Sequence, residues 1–176
     1  MKPHTISPLI SELAIQQKVR QLGQQINIDY QQSDTLVIIA LLKGAMVFAA
    51  DLCRQLTGHI ILDVMSVSSY GNGLESSQQI ALVQDISYDI EGCDVLVIDD
   101  VIDTGHTLSY VYEQLSARQA KSIKFCTLLS KPSCLQVDMT LDYVGFEIAN
   151  EFVVGYGIDY AAHYRHLPYI AKVNLD

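Results

Sequence analysis

The stretch from Asp94 to Leu108, Asp-Val-Leu-Val-Ile-Asp-Asp-Val-Ile-Asp-Thr-Gly-His-Thr-Leu, constrains this chain more than any other. Residues 95–98 are β-branched or aliphatic throughout, the pattern of a buried strand. The run ends in two acids, Asp99 and Asp100, and a third, Asp103, follows shortly after. Beyond a small hydroxyl-bearing turn, Leu108, Val111, Tyr112 and Leu115 recur at the i, i+3, i+4, i+7 spacing of an amphipathic helix. A strand that feeds a helix through Thr104-Gly105-His106-Thr107 leaves several backbone N–H groups and two hydroxyls facing one space. Those are the makings of a phosphate cradle at a helix N-terminus. Three carboxylates beside such a cradle would repel the anion unless a divalent cation or ribose hydroxyls stood between them. The local chemistry points to a phosphorylated sugar held with magnesium.

The rest of the chain supplies a frame for that motif. Residues 7–30 carry a helical pattern with Ile15, Val19, Leu22 and Ile26 on one face, and residues 35–42 read as a central strand. Lys43-Gly44 ends that strand, and residues 45–56 read as a helix. Residues 59–68 form a second strand, with Ile61, Asp63, Met65 and Val67 on one face at period two. Polar residues 69–78, with Gly71 and Gly73, read as an exposed, mobile loop, and residues 79–84 as the strand returning from it. Residues 122–129 form a further strand that ends at Ser130-Lys131-Pro132. Shorter strands are expected at 143–146, 152–156 and 169–173. Strands alternating with helices predict a single α/β domain over residues 1–176, with a mainly parallel central sheet flanked by helices on both faces. In such sheets ligands sit beyond the carboxyl ends of the strands, where Lys43-Gly44, residues 99–107 and Lys131 all fall.

Composition excludes several partners. A formal charge of −9 disfavours a general nucleic-acid or acidic-membrane binder. No apolar run approaches the roughly 18 residues of a membrane-spanning helix, and residues 1–5 lack the apolar core of a signal peptide. Cys53, Cys93, Cys126 and Cys134 follow no metal-ligand spacing. Cys53 and Cys126 lie within apolar patterns, as reduced core cysteines do, which points to the cytoplasm.

Residues 95–108 resemble the phosphoribosyl-diphosphate-binding signature of type I phosphoribosyltransferases. Leu41-Leu42-Lys43-Gly44, Ser68-Ser69-Tyr70-Gly71, residues 128–132 and residues 152–160 resemble, in order, the other landmarks of the hypoxanthine(-guanine) phosphoribosyltransferases, closest to the short bacterial ones. The resemblance covers nearly the whole chain. It implies the family fold, with a small hood built from the N- and C-terminal segments and a flexible loop on a long hairpin. The implied reaction moves a 5-phosphoribosyl group from 5-phosphoribosyl 1-diphosphate to N9 of hypoxanthine or guanine. Its transition state is oxocarbenium-like, favouring anionic surroundings at the ribose and cationic help at the leaving group.

Carried over residue by residue, the resemblance makes Asp99 and Asp100 the pair that holds the ribose hydroxyls, directly or through magnesium. Asp103 becomes the acid that takes the purine N7 proton, a better base if buried beside two other acids. Val101, Ile102, Thr104, Gly105, His106 and Thr107 line the ribose and 5′-phosphate. Lys43 and Gly44 form the diphosphate loop, where relatives hold a cis peptide, and Arg165 reaches the same group. Lys131 donates to the purine 6-oxo group, Phe152 stacks on the ring, Val153 meets its edge through the backbone, and Asp159 stands near a second magnesium. Ser69 and Tyr70 belong to the loop that closes over the transition state. Tyr156 reads as a plain core aromatic, and His4, His59, His163 and His166 carry no assigned site. A homodimer or homotetramer is usual in the family.

The chain also departs from the pattern. Asp99 stands where most relatives have glutamate, and His106 where others carry Lys, Asn, Leu or Arg. After Lys131-Pro132, arginines common in relatives are replaced by Ser133-Cys134-Leu135-Gln136, and basic residues are missing from 75–79. Three other readings stand beside this one: a xanthine- or guanine-preferring enzyme, a non-catalytic RNA-binding regulator of the same fold, and a phosphoacceptor signalling domain. The acidic balance and the position of the acid pair count against the last two.

Overall fold

The computed structural model describes residues 2–70 and 79–175. Its centre is a sheet whose strands lie in the order β4-β3-β2-β5-β6-β7. These are β2 (Leu36–Leu42), β3 (Ile60–Tyr70), β4 (Gln79–Gln84), β5 (Asp94–Ile102), β6 (Ser122–Ser130) and β7 (Tyr143–Glu147). Every neighbouring pair is parallel except β3 with β4, the antiparallel hairpin expected from the sequence.

Period-two alternation divides the hydrophobic residues between the two faces. Leu36, Ile38, Ala40, Leu96 and Ile98 join Ile15, Val19, Leu22 and Ile26 of α1 (Glu12–Asp29) and Phe48 and Leu52 of α2 (Met46–Cys53) in one core. Val37, Ile39, Leu41, Val95 and Val97 join Leu108, Val111 and Leu115 of α3 (His106–Ser116) in the other. Ile61, Met65 and Val67 of β3 share that second core, and Asp63 on the same face is buried. Asp63 is satisfied by the N–H groups of Val64, Ser87 and Tyr88 at 2.7–2.8 Å. Helices therefore cover both faces.

A second sheet, β1-β9-β8, is the hood. It comprises β1 (His4–Ile10), β8 (Val153–Val154) and β9 (Ile170–Leu175), all antiparallel. Here the structure corrects the helix expected from residue 7. Residues 7–10 finish a strand, and α1 begins only at Glu12, where Ser11 caps it by accepting from the Ala14 N–H at 3.3 Å. Tyr112 is also corrected: at 48% exposed it lies on the flank of α3 rather than in the core. Residues 71–78, the tip of the expected loop, lie outside the described residues.

Candidate active site

Because β2, β5 and β6 run parallel, their carboxyl ends share one edge, and four loops meet there. The first holds Lys43 and Gly44, joined to β2 through a cis Leu42–Lys43 peptide, as the family resemblance implied. Lys43 is exposed. Gly44 has no room for a side chain, since a Cβ there would lie 1.7 Å from Asp100 Oδ2. A bare backbone at this position lets the carboxylate of the neighbouring strand lie directly against the loop.

Asp99 and Asp100 end the apolar part of β5. Asp99 is buried and Asp100 half-buried, with the Asp100 N–H donating to Asp99 Oδ1 at 3.0 Å. Burial, joined by the charge of Asp100, pushes the Asp99 carboxyl well above its ordinary range. Burial raises Asp100 as well. Two adjacent carboxyls so removed from water hold their protons more tightly unless a cation offsets their charge. Among the described residues, no cluster of three or more His, Cys, Asp or Glu could hold one unaided. A hard divalent ion bound by one or two carboxylates, with substrate oxygens and water completing its shell, fits this donor set.

Asp103 lies past the strand, where its side chain is 51% exposed rather than buried among acids as expected. Lys131 Nζ donates to its Oδ2 at 2.9 Å. Lys131 itself is buried, its N–H bonded to the Ile102 carbonyl at 3.0 Å. The pair thus joins the ends of β5 and β6 and sets an acid beside a cationic donor at the rim.

The turn after Asp103 holds the residues expected to cradle a phosphate. Gly105 adopts φ +85, opening the chain so that α3 starts at His106 with its N-terminal amides facing the same edge. Thr104, His106 and Thr107 are half-buried, Val101 is half-buried, and the Ile102 side chain is buried. Residues 135–137 brace this turn. Gln136 donates its N–H to the Thr104 carbonyl at 3.0 Å and its Oε1 lies 3.1 Å from His106 Nε2. Leu135 and Val137 lie against Gly105. No sequence signal marked Gln136, because its partners are about thirty residues away.

The fourth loop follows β8. Val153 is buried, whereas Phe152 just before it is 47% exposed. Arg165 donates to the Gly157 carbonyl and pairs with Asp159 Oδ1, both at 2.5 Å, so these two expected site residues stand together. Gly157 packs its backbone against the Gly44 carbonyl, bringing this loop onto the first one. Tyr156, expected as a plain core aromatic, is buried and also donates its hydroxyl to Asp51 Oδ2 of α2 at 2.5 Å. Ser69 and Tyr70 form the end of β3 at the hairpin.

Residues 9–161 match the family model for the phosphoribosyl transferase domain. The chain is 47% identical over 173 residues to the hypoxanthine phosphoribosyltransferase of Escherichia coli K12, covering 98% of this chain and 97% of that protein. A crystal structure of a hypoxanthine-guanine phosphoribosyltransferase from Bacillus anthracis superposes with a TM-score of 0.90 at 46% identity, covering 94% of this chain and 97% of that one. A hypoxanthine phosphoribosyltransferase from Staphylococcus aureus also gives a TM-score of 0.90, at 41% identity, covering 97% and 91%. These relatives favour none of the three rival readings.

Proposed function

Since the chain belongs to the phosphoribosyl transferase domain family, we propose that it is a purine-salvage enzyme acting on hypoxanthine, and on guanine as well. It transfers 5-phosphoribosyl from 5-phosphoribosyl 1-diphosphate to N9 of the base and releases diphosphate. The observation that carries this reading is the convergence of Lys43-Gly44, Asp99-Asp100, Asp103 with Lys131, and Arg165 with Asp159 at one sheet edge.

Each loop then has a task. The amides and hydroxyls of residues 104–107, next to Val101 and Ile102, cradle the 5′-phosphate, and Asp99 and Asp100 hold the ribose hydroxyls. Phe152 stacks on the purine and the Val153 backbone meets its edge. Lys131 donates to the 6-oxo group, and Asp103 takes the N7 proton as N9 attacks. A 6-amino base offers Lys131 a donor in place of an acceptor, which disfavours adenine. Lys43, Gly44 and Arg165 receive the diphosphate, while Ser69 and Tyr70 lead into the loop that excludes water. Magnesium is the cation suited to the Asp99–Asp100 pair, with Asp159 near a second ion, and it would offset the negative charge of the diphosphate.

The four free cysteines suit a reducing cytoplasm, and a homodimer or homotetramer is the expected assembly. Mixing the protein with hypoxanthine, 5-phosphoribosyl 1-diphosphate and magnesium should yield inosine monophosphate and diphosphate. Absence of both products under conditions where a relative forms them would end this reading.

A further inference from the structure

His4 lies on β1, at one edge of the hood, and Phe152 directly precedes β8 at the other. Tyr160 of the 159–165 loop links them, and Tyr164 of the same loop contacts His4. The Tyr160 ring stands edge-on to His4, with centroids 5.1 Å apart at 82°, and edge-on to Phe152 at 5.2 Å and 87°. Both are favoured quadrupolar geometries. His4 Nδ1 lies 2.8 Å from the Lys2 carbonyl, which can only accept, so Nδ1 carries the proton. Nε2 is then free to accept from the Tyr164 hydroxyl at 2.9 Å.

The loop so gripped does not hold its shape by intrinsic preference. Ala161, Ala162 and Tyr164 have φ of 49, 67 and 75, values that non-glycine residues adopt where surroundings impose them. Its surroundings impose that shape: Asp159 accepts from the Ala162 N–H at 2.7 Å and pairs with Arg165, Tyr160 and His163 exchange backbone bonds, and His4 holds Tyr164 by its hydroxyl. Phe152, nearly half exposed, rests on Tyr160.

We propose that His4 is a positioning residue for the base: by holding Tyr160 and Tyr164 it fixes the plane of the Phe152 ring. The inference rests on the reading of Phe152 as the ring that stacks on the purine. Losing one edge-to-face contact corresponds to about a three- to tenfold change in an equilibrium constant. His4→Ala should therefore raise the KM for hypoxanthine about three- to tenfold, leaving kcat and the KM for 5-phosphoribosyl 1-diphosphate within about twofold. His4→Phe, which keeps an aromatic ring against Tyr160 and gives up the hydroxyl bond, should restore most of the base KM. That variant also serves if His4→Ala fails to fold.

A merely structural role would shift all kinetic parameters together with the melting temperature, and that pattern would overturn the proposal. So would an unchanged base KM in His4→Ala, or no recovery in a folded His4→Phe. Phe152→Ala separates the two levels. If it raises the base KM while His4→Ala does not, the His4 role alone fails. If Phe152→Ala leaves the base KM unchanged, the stacking reading fails and takes this inference with it.

Discussion

Between Lys131 and Asp103 an acid and a cationic donor neutralise each other at the rim of the sheet. Asp103→Asn keeps an acceptor for Lys131 but removes the proposed base. We expect kcat to fall by about 10²- to 10⁴-fold, with the KM for 5-phosphoribosyl 1-diphosphate changed by no more than about threefold; steady-state kinetics with both substrates varied will show it. Near-normal turnover would relieve Asp103 of its role. The Asp99–Asp100 pair has a different signature. A carboxyl whose folded pKa is raised holds its proton more tightly folded than unfolded, so it lowers stability as pH climbs from the unfolded pKa, about 4, through the folded one. Asp99→Asn should raise the melting temperature of the ligand-free protein, by a margin that widens from pH 4 to pH 7. A constant margin across that range would contradict the raised Asp99. The three acids were legible in the sequence because they sit where an apolar strand stops. Their individual environments were not: Asp103 escapes burial because it lies past the end of the ladder, and its ion pair joins residues 28 positions apart.

At the scale of elements, the start of α3 depends on one backbone state. Gly105 has φ +85, and a Cβ there would sit 2.4 Å from Val137 Cγ2. Gly105→Ala should cost about 1–3 kcal/mol of stability and raise the KM for 5-phosphoribosyl 1-diphosphate more than that for the base, as denaturant unfolding and kinetics would show. An equal rise in both would mean that the turn supports the whole edge rather than the phosphate. The strongly periodic elements were readable because each buries one uninterrupted apolar face: Ile15, Val19, Leu22 and Ile26 of α1 are all in the core. β1 was not. Its alternation is interrupted by Pro8, it is largely exposed, and its pairing register breaks between Pro8 and Ile10, so local pattern could not separate it from the helix that follows. Tyr112 was misplaced for a related reason. Helical spacing puts it on the apolar stripe, but it lies at the stripe's margin, 6.3 Å from the Phe125 ring.

For the molecule as a whole, a formal charge of −9 surrounds a site proposed to take a polyanionic substrate. Long-range repulsion should slow capture at low salt. Raising ionic strength from 0.01 to 0.15 M shortens the screening length from about 30 to about 8 Å. The KM for 5-phosphoribosyl 1-diphosphate should therefore fall, on the order of twofold, at fixed free magnesium. A rise would show that local cations such as Lys43 and Arg165 dominate the field. Net charge was plain from composition, whereas the way four distant loops distribute it along one edge required the fold. The hood adds a matter of timing. Among the described residues β1 pairs only with β9, from His4 opposite Leu175 to Ile10 opposite Ile170. On the ribosome, β2, β5 and β6 can assemble and bring the phosphate turn and the acid pair together while β1 still waits for a partner. The edge that carries the acid pair can thus form first, whereas the hood is complete only once residues 170–175 emerge and pair with β1.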